Sequence, residues 1–141
     1  MSLTPTIREF LVRLEDLLDR RAPAGLQRDA VTIGTAGNQA LVRLPHVTDR
    51  KRDIELEIDD RRVIVGYSPE RITFTDFDEA LRFVEMLCDG RVELEVTRNP
   101  LWTTMCSYRD GQTVPFRRTR MPWPTVRPRI ERRAVGFGSE T

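Results

Sequence analysis

Residues 53–59 read Asp-Ile-Glu-Leu-Glu-Ile-Asp, a strict alternation of acidic and apolar side chains. An extended strand, with its side-chain period of two, sends Ile54, Leu56 and Ile58 to one side and Asp53, Glu55, Glu57 and Asp59 to the other. This stretch is therefore committed to a sheet with one dry face and one wet face, the signature of antiparallel rather than buried parallel strands. Residues 91–97 repeat the pattern, with Val92, Leu94 and Val96 inward and Glu93 and Glu95 outward.

Two other stretches carry the helical period. Ile7, Phe10, Leu11, Leu14, Leu17 and Leu18 recur at intervals of three and four, which predicts one apolar stripe. Thr4 suits the N-cap and Pro5 the first helical position, Glu9/Arg13 and Asp16/Arg20 stand four apart, and Pro23 and Gly25 end the segment. The second helix opens at Thr75 or Asp76, where Asp76 and Glu79 have the capping-box spacing. Its buried stripe is Phe77, Ala80, Leu81, Val84, Leu87 and Cys88, and Gly90 is the expected left-handed stop.

Further short strands are predicted at 31–35 and 39–44 around Ala36-Gly37-Asn38, at 62–67, at 71–74, at 101–108, and at 113–118 after a turn at Arg109-Asp110-Gly111-Gln112. Pro115 would confine the last of these to an edge. At 141 residues the chain suits one domain. The expected fold is α+β: residues 1–118 form a mainly antiparallel, twisted sheet of five to seven strands with two helices on one face, and residues 119–141 form an extended Arg/Pro-rich tail. This order of elements is similar to that of small bacterial secretion chaperones and toxin-immunity proteins, with the Pro/Arg tail in place of the chaperones' last helix. No residue motif accompanies the likeness.

Composition excludes several classes. No apolar run exceeds three residues, so neither a membrane-spanning helix nor the apolar core of a signal peptide is expected, and the chain reads as cytoplasmic. Two cysteines and one histidine argue against a disulfide scaffold and a zinc site, and no cofactor motif is present. Of 23 basic residues only Lys51 is lysine, which fits codon bias in a GC-rich genome or a functional demand for guanidinium groups.

Catalytic constellations are sparse. His46 follows Pro45 in a charged loop, Cys88 lies on the apolar stripe of a helix, and Cys106 sits on a strand without a CxxC neighbour. Gly34-Thr35-Ala36-Gly37 matches a GxxG string, but between strands rather than helices. Gly136-Phe137-Gly138-Ser139 has no following helix to bind phosphate and reads as a flexible terminus.

Two surfaces remain. If strands 53–59 and 92–97 share a sheet, then Asp53, Glu55, Glu57, Asp59, Glu93 and Glu95 crowd one face, and their mutual repulsion calls for nearby arginines or a cationic partner. The other surface is the tail, with Arg117, Arg118, Arg120, Trp123, Arg127 and Arg129. It is expected to wrap back on the acidic body, to stay disordered, to dock a protein, or to take phosphates while Trp123 stacks on a base.

The leading expectation is a non-enzymatic bacterial protein-binding module, an immunity-type inhibitor or an escort of a basic protein. A nucleic-acid-associated protein acting through its tail is the alternative. A small enzyme with Tyr67, Tyr108, His46 and an acid converging between tail and sheet is the third. Exposed strand edges near 31–44 or 113–118 would also permit a homodimer.

Overall fold

The computed structural model describes the backbone of residues 3–67, 70–98, 103–109, 112–121 and 129–137, and the side chains of 3–67, 71–93 and 135–137. The chain opens with α1 (Pro5–Arg21) and continues into β1 (Thr32–Ala36), β2 (Gln39–Leu44), β3 (Ile54–Ile58), β4 (Val63–Tyr67) and β5 (Glu70–Phe74). After α2 (Phe77–Cys88) come β6 (Val92–Arg98), β7 (Thr103–Arg109), β8 (Gln112–Met121) and β9 (Arg129–Ala134). None of the described helices is long and apolar enough to cross a membrane.

Local chemistry sets the boundaries of the helices. Thr4 Oγ1 accepts the Ile7 amide at 3.3 Å at the start of α1, and Ala22, at φ +39°, donates to Leu18 O at 2.9 Å at its end. Asp76 accepts the amides of Asp78 and Glu79 at the start of α2. Arg91 N–H reaches back to Met86 O as Gly90 turns left-handed, at φ +71°. The α2 stripe is broader than its sequence period suggests, because Phe83 and Met86 are buried as well. Phe83 meets Tyr67 and Phe74 of the sheet, with ring centroids 5.8 and 5.3 Å away.

Strands β1 to β5 form one antiparallel sheet in sequence order, and β8-β7-β6-β9 form a second. In the first sheet every expected inward residue of β3 and β4 is buried: Ile54, Leu56, Ile58, Val63, Val65 and Tyr67. They join Ala40, Val42 and Leu44 of β2 and Ile72 and Phe74 of β5 in one core with both helices. Two helices on an antiparallel sheet make the α+β class that the periodicities predict.

Three expectations are corrected. Strands 53–59 and 92–97 do not share a sheet: β3 pairs with β2 and β4, and β6 pairs with β7 and β9. The α2 segment separates two sheets: β1 to β5 pair in sequence order before it, and after it β6, β7 and β8 pair in order while β9 returns to the open side of β6. Asp53, Glu55, Glu57 and Asp59 thus belong to one sheet and Glu93 and Glu95 to the other.

Residues 136–137 are not a loose terminus. Phe137 is fully buried; its amide donates to Leu87 O at 2.8 Å and its carbonyl accepts from Gly25 at 3.2 Å. Gly136 permits this with φ +82°, and a Cβ there would lie 2.3 Å from Leu87 O. The expected tail boundary at 118 also falls within β8, and residues 129–134 form β9 beside β6.

Candidate functional site

The outer face of the first sheet is built by register. The two-residue loop Gly37-Asn38, with Gly37 at φ +63°, joins Ala36 to its partner Gln39. From that hairpin two outward rows follow across the strands. One is Gly34, Leu41, Glu57, Ile64 and Thr73; the other is Thr32, Arg43, Glu55, Gly66 and Arg71.

Arginines from the same sheet answer three of its four carboxylates. Arg43 pairs with Asp53 at 3.1 Å, and the other oxygen of Asp53 accepts the His46 amide at 2.7 Å. Arg71 reaches Glu57 at 2.9 Å by crossing β4 where Gly66 has no side chain; an added Cβ there would lie 3.8 Å from Arg71 Cγ. Arg62 lies 3.5 Å from Asp59. The Asp59 carboxyl is held below its ordinary range, first by the amide of Arg61 at 2.7 Å, then by the amide and guanidinium of Arg62, against partial desolvation. Glu55 is exposed and forms no ion pair among the described residues.

Beside Glu55 and Glu57 a shallow depression of about 360 Å³ runs over β1, β2 and β3, lined on its outward side by Thr32, Gly34, Leu41 and Arg43. Leu41 is 39 % exposed at its edge. The arrangement is an open, mixed surface: one carboxylate without an ion pair among the described residues, several paired ones and an exposed leucine. It can present charge and apolar area to a macromolecule.

The second sheet carries the remaining expected residues as backbone positions. Glu93 stands opposite Tyr108 and Ala134, and Glu95 opposite Cys106 and Arg132. Arg118 and Arg120 of β8 face Cys106 and Thr104, Arg117 lies on the same strand, and Arg129 of β9 faces Arg98. Trp123 and Arg127 lie outside the described residues. Register thus brings one tail arginine, Arg132, opposite a glutamate of the acidic set.

Groups weighed for chemistry have structural surroundings. His46 is 9 % exposed, and its Nδ1 accepts the amides of Thr48 and Asp49 at 3.2 and 3.1 Å, so its ring proton sits on Nε2. The ring stacks on Phe137, with centroids 6.2 Å apart. Tyr67 is 1 % exposed. Burial pushes the Cys88 thiol up to about 12, with Asp89 adding to the effect. Among the described residues no group of three or more His, Cys, Asp or Glu side chains is placed to hold a metal.

Between α1 and α2 a second cleft of about 400 Å³ is lined by alternating charges, including Arg13, Asp16, Asp78 and Glu85. Arg13 pairs there with Asp78 at 2.7 Å instead of with Glu9. The outer-face residues that sequence reasoning missed are Gly34, Leu41, Arg43 and Arg71. The Gly37-Asn38 hairpin was the signal for the first three, since it fixes the β1–β2 register. Comparison with protein-family models, with curated proteins and with solved structures found no match in any of the three.

Proposed function

We propose that this chain is a non-enzymatic protein-binding module, an inhibitor or escort, that engages a partner through the outer face of its first sheet. The observation that carries the reading is Glu55, an exposed carboxylate with no ion pair among the described residues, beside the Leu41 depression and amid carboxylates already matched by Arg43, Arg62 and Arg71. An unanswered charge beside exposed apolar area is how a surface selects a cationic side chain within a larger contact. Within the first sheet the cis pairing leaves one of the four carboxylates Asp53, Glu55, Glu57 and Asp59 without an ion pair among the described residues. The partner's complementary group is therefore a lysine or arginine near an apolar residue.

The test compares wild type with Glu55→Arg and Leu41→Lys as baits in crosslinking and affinity capture from the source cell. The partner bound by wild type should be lost with both variants and kept by a Glu15→Arg control on α1. Equal capture by all four baits would overturn the assignment of this face.

A further inference from the structure

We infer that two copies of this chain associate by pairing β1 with β1 across a two-fold axis at Gly34. The inference does not depend on the proposed role of Glu55.

Strand β1 lies at the edge of the first sheet. β1 pairs only with β2 among the described strands, and all five of its residues are exposed. The Gly37-Asn38 loop makes Ala36 and Gln39 a hydrogen-bonded pair, so alternation assigns Gly34/Leu41 and Thr32/Arg43 to the same kind. The N–H and C=O groups of Ile33 and Thr35 then point away from the sheet, where they offer four hydrogen bonds to another strand.

The edge is also uncharged. A two-fold contact sets a strand against its own copy, so any charged side chain near the axis meets its like. Thr-Ile-Gly-Thr-Ala carries none, whereas β5, at the other edge of this sheet, carries Glu70 and Arg71. An uncharged edge gives a basic foreign partner no electrostatic preference. It suits a second copy.

Gly34 stands at the middle of β1. Its φ is not positive, and a Cβ added there meets nothing within 4 Å, so neither backbone conformation nor packing within the chain demands glycine. Glycine inside a strand weakens it and often marks the close approach of another backbone. Full-length antiparallel pairing of residues 32–36 sets Thr32 against Ala36 of the second copy and Ile33 against Thr35. Gly34 then meets Gly34 in the close pair, at a Cα separation of about 4.5 Å. Ile33, now 41 % exposed, gains a covering neighbour. The product is one antiparallel sheet of ten strands.

Five-residue strand pairing falls below the roughly 1,600 Å² of a standard interface, so the dimer is expected to be weak, in the micromolar-to-millimolar range. Sedimentation velocity over that range tests it, using wild type, Gly34→Lys, Gly34→Glu, an equimolar mixture of the two variants, and Thr35→Pro. Wild type should show a concentration-dependent dimer. Each charged variant alone should weaken it about fivefold, and the mixture should restore it, because only residue 34 facing residue 34 lets opposite charges meet. Thr35→Pro deletes an outward N–H and should leave a folded monomer by circular dichroism.

A wild-type monomer at every concentration would overturn the inference, as would a dimer indifferent to the charged variants or a mixture that fails to reassociate. If both charged variants fail to fold, Thr35→Pro decides: an intact dimer refutes the pairing and its loss supports it.

Discussion

Gly136→Ala is the sharpest probe of how this fold is closed. The new Cβ would sit 2.3 Å from Leu87 O and 2.9 Å from Leu87 C, both backbone atoms, on a residue at φ +82°. Neither the helix end nor the backbone conformation can yield cheaply, so the least costly relief is to undock residues 136–137. Undocking exposes Phe137, now fully buried, and breaks its hydrogen bonds with Leu87 and Gly25. Burial of such a side chain contributes about 1.5–3 kcal/mol and each hydrogen bond about 1 kcal/mol, which together give a loss of about 3–5 kcal/mol. For a chain of this size that lowers Tm by roughly 10–20 °C. Urea and thermal unfolding followed by far-ultraviolet circular dichroism measure it. A double-mutant cycle with Phe137→Ala adds the mechanism: if Gly136 acts by seating Phe137, the double variant is scarcely worse than the poorer single one. A Gly136→Ala protein within about 1 kcal/mol of wild type would refute the reasoning.

Asp59→Asn probes the pH dependence. The folded-state pKa of Asp59 lies below its ordinary 3.8, so its stabilisation is complete above that value and is lost as pH falls through the folded value; the stability gap between wild type and Asp59→Asn should close in that window. Gly66→Ala should fit, since its Cβ would meet Glu55 O at 3.6 Å and Arg71 Cγ at 3.8 Å, and denaturant unfolding should show a gain of about 0.5–1 kcal/mol with the Arg71–Glu57 pair intact. In a Cys106→Ser background, Cys88 should resist a thiol reagent in the native protein and react fully in denaturant, because burial holds its thiol near 12.

Much of the fold was legible because its signals are local. Thr4 and Asp76 cap the helices from within one turn, and the alternation at 53–59 sorts each side chain to its face without reference to any neighbour. What the sequence could not supply was pairing at a distance. Nothing in Glu57 or Arg71 shows that the guanidinium crosses β4 at Gly66, and nothing in 92–97 shows that it joins a different sheet from 53–59. Phe137 was misread for the same reason: beside glycine and serine it resembles a loose end, and its partners lie at positions 25, 46 and 87. The candidate site was therefore half visible. Its carboxylates were found, and the arginines that answer most of them were not.

The seat of Phe137 also bears on biosynthesis. Gly25 and Leu87 leave the ribosome well before their shared partner, so helix α1 and the first sheet can assemble while the gap between residues 25 and 87 stays open to water. A contact that spans over a hundred residues is slow to close and cannot begin until its last member has been synthesised. Until then Leu87 O and the Gly25 amide lack their partner and the His46 ring lacks the aromatic face that it stacks on in the finished fold.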